Sequence, residues 1–296
     1  MRDGLSGSVI VSSSLIISSS LVVASWLIGS ATVSAAEVDL RTDVVYDRPD
    51  GTEVRLDLAL PADRRRDRPA VLVIHGGGWK GGDKSQHRDD IRELARQGFV
   101  AASVGYRLMP DHRFPDPVND VRAAVRFVRN HCEEFGVDGE RLGAVGFSAG
   151  AHLAMMLGVV DDGDGFVDGD TPSDVRAVVS YFGPTDLTAD VPAKAESILN
   201  EFLGGTQSQR PDAYRRASPV RWVDPRDAPM LLFHGTRDFL VPMDQAVRMA
   251  KRLSDNSVDG RAELIFNAGH GWGGETLERT HGETLRFLDK HLRSKD

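Results

Sequence analysis

The chain has 296 residues, of which 41% are hydrophobic and 27% are charged, and this composition is that of an ordinary globular protein with one domain of roughly 200 to 250 residues. A formal net charge of −8 at pH 7, with no run of basic residues along a predicted helix, argues against nucleic acid as a partner. The single cysteine, Cys132, excludes an internal disulfide, so a packed core must supply the stability of the fold.

The N-terminal stretch is apolar. Residues 4–36 contain no charged side chain, and Val, Ile, Leu, Ala and Ser dominate them. The stretch ends with small residues at Ser34 and Ala36, which suit cleavage by signal peptidase after Ala36. We therefore expect residues 1–36 to be a secretory signal peptide and residues 37–296 to be a single catalytic domain, secreted or periplasmic and without stable membrane association. Because the stretch is long and a single cation precedes it, an uncleaved membrane anchor is the alternative.

Beyond residue 37, strand-like and helix-like patterns alternate, as a mostly parallel sheet flanked by helices requires. An early antiparallel strand is predicted at 52–60, where polar and apolar residues alternate. Apolar runs predict core strands at 71–74, 100–104, 142–145, 175–181, 230–233 and 262–266. Apolar residues at helical spacing predict helices at 89–97, 118–134, 244–253 and 276–292. The expected fold class is thus α/β, with no internal repeat or interdomain linker.

A glycine-rich loop follows the first core strand. Residues 75–84 are His-Gly-Gly-Gly-Trp-Lys-Gly-Gly-Asp-Lys. Consecutive glycines let main-chain N–H groups converge on a developing oxyanion, and we expect those of Gly77, Gly78 and Ala149 to do so. A phosphate-binding loop is the alternative, but the Gly-Lys-Ser/Thr ending is absent.

The strand predicted at 142–145 leads into Gly-Phe-Ser-Ala-Gly, with Ser148 at its centre, and a helix-like stretch follows at 151–157. In a strand-turn-helix context the two glycines allow a tight turn that holds the serine in a strained conformation with its hydroxyl exposed. Ser148 is therefore the predicted nucleophile, and an ordinary Gly/Ser loop is the alternative. Since a serine hydroxyl is a poor nucleophile at neutral pH, it needs a base and an acid that orients the base.

Two segments between the later strands are less informative. The loop 161–170 carries alternating carboxylates, which are ligands for hard cations, but the twelve-residue calcium register with its terminal Glu is missing. We therefore predict a solvated acidic loop and no metal. Residues 191–217 are expected to form a small cap or pocket wall, whose shape the sequence does not resolve.

Cys132 is expected to be a small buried hydrophobe on its helix rather than a reactive thiol.

The base and the acid are sought downstream of the serine. Asp238 follows an apolar strand and a glycine turn, so its carboxylate lies at the carboxyl end of a strand, where catalytic groups collect in open α/β sheets. His270 lies between glycines directly after the last predicted strand, in a loop able to reach across the sheet. His281 and His291 belong to the closing helix and are weaker candidates. The alternatives are a helix-capping aspartate and a surface histidine.

With these motifs the chain resembles the α/β-hydrolase superfamily and, within it, the His-Gly-Gly-Gly esterases related to hormone-sensitive lipase. The closer resemblance is to bacterial feruloyl and acetylxylan esterase-like enzymes. It rests on short motifs at 75–84, 106–107, 119–124, 182–187 and 217–220. Phe147 stands where relatives of hormone-sensitive lipase usually carry Asp, which favours the carbohydrate-esterase branch. The chain order Ser, Asp, His is that of the superfamily.

This resemblance implies an α/β-hydrolase sheet, a serine acyl-enzyme and no cofactor. The predicted function is a secreted serine esterase for short-acyl or feruloyl-type carboxylic esters, on a small molecule or a plant polysaccharide. An amide hydrolase of the formamidase or peptidase type is one alternative, because the same groups serve both leaving groups. A binding protein that has kept the fold and lost the chemistry is another.

Overall fold

The computed structural model describes residues 38–63, 65–167 and 169–293. Its strands are β1 (Val38–Asp47), β2 (Val54–Pro61), β3 (Arg68–Ile74), β4 (Val100–Val104), β5 (Val137–Phe147), β6 (Ala177–Tyr181), β7 (Met230–Gly235) and β8 (Gly260–Ile265). In this part of the chain they form one sheet, in the order β1-β2-β4-β3-β5-β6-β7-β8. β1 and β2 pair antiparallel, as do β2 and β4, and all pairs from β4 to β8 are parallel. The predicted mostly parallel α/β sheet is confirmed.

Helices cover both faces of the sheet. They are α1 (Arg88–Arg96), α2 (Asp116–Asn130), α3 (Cys132–Phe135), α4 (Ala149–Val159), α5 (Ala193–Leu203), α6 (Pro211–Arg216), α7 (Asp244–Asp255) and α8 (Gly274–Leu292). Side chains of α2, α4 and α7 join the core on one face, and side chains of α1 and α8 join it on the other. Because both faces are covered, every residue of the central strand β3 is buried, which explains its continuous apolar run.

The helix that follows Ser148 lies deepest. All residues of α4 are buried, so it shows no polar face, unlike the amphipathic helices α1 and α7. Its N-terminus lies at the carboxyl end of β5, beside the ends of β3 and β6. Ser148, Asp238 and His270 follow β5, β7 and β8 respectively, so all three lie at the same edge of the sheet.

Three sequence predictions need correction. β1 is absent from the predicted strands, because two register irregularities and a positive φ of 58° at Asp43 break its alternation of polar and apolar residues. The run 262–266 is not core: β8 is the edge strand and ends at Ile265, and Phe266 is 82% exposed. The helix predicted at 118–134 ends at Asn130, and a separate short helix begins at Cys132. The Cys132 side chain, predicted to be buried, is only half-buried.

The residues 191–217 contain α5 and α6, whose short helical patterns were not predicted. The predicted signal peptide or anchor, residues 1–36, lies outside the described residues. In the described part of the chain, we find no helix with the length and hydropathy needed to cross a membrane.

Candidate functional site

Ser148 lies at the sharp turn between β5 and α4. Its backbone has φ 53° and ψ −117°, a left-handed conformation that costs a non-glycine residue free energy. The Ser148 amide donates to the carbonyl of Tyr181 at the end of β6, which fixes the turn against the sheet. A Cβ atom on Gly146 would lie 2.2 Å from the carbonyl oxygen of Gly150, and one on Gly150 would lie 2.1 Å from the carbonyl oxygen of Ile74. The two flanking glycines are therefore sterically required.

The structure brings the three predicted catalytic side chains together. His270 Nε2 lies 2.8 Å from Ser148 Oγ, and His270 Nδ1 lies 2.7 Å from Asp238 Oδ2. Because a carboxylate only accepts, Nδ1 is the protonated nitrogen and Nε2 is free to take the proton of the serine hydroxyl. The imidazole is 24% exposed and contacts the ring of Phe182, with 4.8 Å between ring centroids. This arrangement is that of a nucleophile, a base and an orienting acid.

Asp238 is buried and well supplied with donors. Its Oδ1 accepts from the amides of Leu240 and Val241, each at 2.9 Å. Burial raises the pKa of the Asp238 carboxyl, but hydrogen bonds to His234, His270 and the Val241 amide outweigh this, so that its pKa lies below the ordinary value. The carboxylate therefore stays ionised and able to hold the imidazole.

His234 is a member of the site that the sequence analysis missed. Its Nε2 lies 2.7 Å from the carbonyl oxygen of Val241 and 3.4 Å from Asp238 Oδ2. Since a carbonyl only accepts, this nitrogen carries the proton and donates it to the Val241 carbonyl, while the ring lies beside the Asp238 carboxylate. The available signal was its position at the carboxyl end of β7, four residues before Asp238.

The glycine loop borders the serine. Gly77 and Gly78 have φ 119° and 61°, and a Cβ on Gly77 would lie 2.1 Å from the carbonyl oxygen of Gly81. A Cβ on Gly76 would come within 3.2 Å of Ser148 Cβ, so the loop touches the serine itself. Among the described residues, the amides of Gly77, Gly78 and Ala149 donate to no other group. They are available to a substrate, as an oxyanion hole requires.

His75 anchors that loop. Its ring stacks on Tyr106, with 4.4 Å between ring centroids, and its Nδ1 lies 2.8 Å from the carbonyl oxygen of Gly76. The Tyr106 hydroxyl donates in turn to the His75 carbonyl at 3.0 Å. Burial lowers the pKa of His75, so the ring is neutral and its role is structural.

A small apolar pocket of about 50 Å³ lies beside the serine. Three groups of residues line it: Gly78, Trp79, Ser148 and Ala149 around the nucleophile, Val191, Ala195, Ile198 and Leu199 from the cap segment, and Pro184, Asp186, Leu187, Leu240, Val241 and Gln245 from the loops after β6 and β7 and the start of α7. The predicted pocket wall at 191–217 is thus observed, and its apolar face comes from α5. Exposed charged residues such as Lys194 and Glu196 lie on the outer face of that helix.

Other predicted features lie apart from the site. His281 and His291 are on α8, as expected. In the acidic loop, Asp162 forms ion pairs with Arg122 and Arg126, and Asp161 pairs with Arg226. Asp168 of that loop lies outside the described residues. In the three described segments, no group of three or more His, Cys, Asp or Glu side chains is arranged to hold a metal ion.

The chain matches a known protein family and several curated proteins. A family model described as BD-FAE matches residues 56–253. The chain is 32% identical to Esterase LipC of Mycobacterium tuberculosis over 254 residues, which are 78% of this chain and 62% of LipC. The first curated relatives it matches are longer, and it spans between 43% and 62% of their length.

Two solved structures are similar over most of their length. The structure of esterase 2 from Thermogutta terrifontis with propionate bound has a TM-score of 0.73 and 28% identity, covering 89% of this chain and 97% of that one. A truncated carbohydrate esterase from gut microbiota has a TM-score of 0.74 and 25% identity, covering 86% of this chain and 97% of that one. These matches confirm the predicted resemblance to α/β-hydrolase esterases.

Proposed function

Because the chain belongs to the BD-FAE family of α/β-hydrolases, we propose that the protein is a serine carboxylic ester hydrolase with Ser148 as nucleophile, His270 as general base and acid, and Asp238 as the orienting carboxylate. One observation carries this proposal: the continuous hydrogen-bonded chain from Ser148 Oγ through both nitrogens of His270 to Asp238. Such a chain activates a hydroxyl that is otherwise a poor nucleophile.

The reaction follows from these contacts. Ser148 Oγ attacks the ester carbonyl while its proton passes to His270 Nε2, and Asp238 stabilises the resulting imidazolium. The negative charge on the carbonyl oxygen is met by the free amides of Gly77, Gly78 and Ala149. His270 then protonates the leaving alcohol, which leaves an acyl-enzyme. A water molecule deprotonated by His270 attacks the acyl carbonyl, and the acid and free serine are released.

The preferred acyl group is short. A pocket of about 50 Å³ with an apolar wall accommodates a few carbon atoms beyond the carbonyl. The relative from Thermogutta terrifontis was solved with propionate and with butyrate bound. Another neighbour is named a carbohydrate esterase, which supports a sugar or polysaccharide as the alcohol part of the substrate. Feruloyl-type esters are larger and serve as the comparison in the substrate test.

The protein acts outside the cytoplasm in this proposal. Support comes from the apolar stretch at residues 4–36 and from the small residues Ser34 and Ala36 at its end.

The test combines active-site labelling with a substrate panel. A fluorophosphonate should label the wild-type protein at Ser148, and Ser148→Ala should abolish both the label and nearly all turnover. The panel comprises acetylated xylan, feruloylated sugars, simple esters of increasing acyl length and matched anilides. Hydrolysis of anilides alone would replace the esterase proposal with an amidase, and absence of label and turnover would indicate a binding protein.

A further inference from the structure

The backbone of Phe182 is strained. Phe182 directly follows β6 and has a φ of 46°, in the left-handed region that favours glycine. A bulky residue is rarely found in this conformation, and it persists only where the surrounding structure fixes it. Such strain points to a function of the side chain that glycine could not supply.

The main chain at Phe182 connects the segments that carry the catalytic groups. Its amide donates to the carbonyl of Phe233 on β7 at 2.8 Å. The carbonyl of the preceding residue, Tyr181, accepts from the Ser148 amide at 2.9 Å. Phe182 is therefore fixed between the turn that carries Ser148 and the strand that leads to Asp238.

The ring of Phe182 contacts the catalytic imidazole. The ring centroids of Phe182 and His270 are 4.8 Å apart, and the ring planes lie at 61° to each other. Phe182 also contacts Trp272 at 5.4 Å, and Trp272 Nε1 donates to Thr280 Oγ1 on α8 at 3.1 Å. In the described segments, no other aromatic ring contacts His270. Phe182 thus links the imidazole to a tryptophan that is anchored on a helix.

His270 needs such a contact, because its loop gives it little support. Gly269 and Gly271 flank it, and its main chain makes no hydrogen bond to a described residue. During the reaction Nε2 faces Ser148 Oγ, then the leaving alcohol and then water, so the hydrogen bond from Nδ1 to Asp238 is the one that persists. A ring held at one atom can still swing about that bond. A side-chain contact is required to keep Nε2 in place.

We propose that Phe182 is a positioning residue for the ester hydrolysis proposed above: its ring holds the imidazole of His270 in the orientation that places Nε2 at the reacting oxygen. This inference rests on the proposed function. Phe182 is not among the described residues that line the pocket beside Ser148. Its effect should therefore fall on kcat and not on KM.

The first test removes the ring. Phe182→Leu takes away the aromatic contact, and Phe182→Gly takes it away in a residue for which a positive φ is unstrained. In both variants we expect kcat for 4-nitrophenyl butyrate to fall by about 10- to 100-fold, with KM changed by less than about threefold, because a misplacement of about 1 Å can cost about 10²-fold in rate. Phe266→Leu, in which an 82% exposed ring is lost, is the control and should keep wild-type activity. A kcat within about twofold of the wild type in Phe182→Gly overturns the inference.

The second test measures the mobility of the imidazole itself. Histidine with isotope-labelled ring C–H groups is incorporated, and the signal that disappears in His270→Ala is that of His270. Nuclear relaxation should show a restricted ring in the wild type and in Phe266→Leu, and a more mobile ring in Phe182→Gly. If Phe182 only supported the fold, kcat would fall while the ring stayed equally restricted, and this result also overturns the inference. If the wild type hydrolyses no ester in a Ser148-dependent way, the proposed function has failed, whereas the relaxation measurement still decides whether Phe182 restrains His270.

Discussion

At the scale of single residues, Asp238 is the most constrained carboxylate of the site. Four donors surround it: the His270 and His234 side chains and the amides of Leu240 and Val241. This supply keeps it ionised despite complete burial of its side chain, since its pKa lies below the ordinary value. An ionised partner fixes the tautomer of His270 in which Nε2 faces Ser148.

Asp238→Asn tests this role. The amide keeps the shape of the side chain but cannot stabilise an imidazolium, and we expect kcat for a short-acyl ester to fall by roughly 10³–10⁴-fold, as for the aspartate of serine proteases. The far-UV circular dichroism spectrum should be unchanged. Asp244→Asn, on the exposed face of α7, is the control and should retain full activity. A loss of less than about tenfold in Asp238→Asn would assign the role to another carboxylate.

A second carboxyl should make stability depend on pH. Asp227 accepts a hydrogen bond from the Asp224 amide at 2.7 Å, and burial, followed by the neighbouring charges of Asp224 and Asp161, raises its pKa to about 7. The folded state therefore binds a proton that the unfolded chain has already lost between about pH 4 and pH 7. Asp227 consequently contributes stability at low pH that is lost as the pH rises through 7.

Asp227→Asn removes the titrating carboxyl and keeps a side-chain oxygen that can accept from the Asp224 amide. The variant should have a higher Tm than the wild type at pH 8, where the half-buried carboxylate is charged, and a similar Tm at pH 4.5. Thermal unfolding at the two pH values measures the difference, and Asp89→Asn, on the exposed face of α1, is the control. An equal Tm difference at both pH values would show that the carboxyl titrates normally.

At the scale of elements, the sequence was most informative where one residue type or one pattern has a single structural outcome. The run 100–104 coincides with β4, because a strand buried on both faces must be mostly apolar. The turn around Ser148 was equally predictable, since no side chain fits at Gly146 or Gly150. The edges were not predictable: the run 262–266 was read as a core strand, but β8 lies at the end of the sheet, and Phe266, which follows it, is exposed.

Contacts between distant segments determine the features of the site that the sequence did not predict. His234 has no motif of its own, and its place in the site follows from the loop that packs on it, through the carbonyl of Val241. The shape of the cap segment was not predictable either. Lys194 and Glu196 lie on the outer face of α5, while its inner face is apolar, because a helix separates neighbours in sequence onto opposite sides.

The inner face of α5 should set the acyl-length preference. Ile198 lies in contact distance of Gly78, since a Cβ on that glycine would be 3.4 Å from Ile198 Cγ2. For the wild type we expect kcat/KM to be highest for acetyl to butyryl esters and to fall at least about tenfold by ten carbons, which is about 1.4 kcal/mol of transition-state binding.

Ile198→Ala enlarges the pocket next to the oxyanion glycine and should move the optimum towards longer chains. A series of ethyl esters from two to ten carbons measures this shift. Glu196→Ala, on the outer face of the same helix, should leave the profile unchanged. A wild-type preference for ten or more carbons would contradict the short-acyl assignment, and an unshifted optimum in Ile198→Ala would place the acyl chain elsewhere.

At the scale of the whole molecule, the sheet order gathers the chemistry at one edge. Parallel strands β3, β5, β7 and β8 all end there, so the glycine loop, Ser148, Asp238 and His270 meet although about 200 residues of chain separate the first from the last. The named site residues all lie at or beyond the carboxyl ends of these strands.

For the whole molecule, the N-terminal segment should control export. If residues 1–36 are a signal peptide, the exported protein should begin at Glu37, and intact-mass or N-terminal analysis of secreted material measures this directly. Signal peptidase requires a small residue at the last position before the cut and tolerates larger residues one position earlier. Ala36→Leu should therefore block processing and hold the protein at the membrane, whereas the matched variant Ala35→Leu should be processed like the wild type. A wild-type chain that still starts near Met1 and sediments with membranes would support the anchored alternative and leave the proposed chemistry of Ser148 untouched.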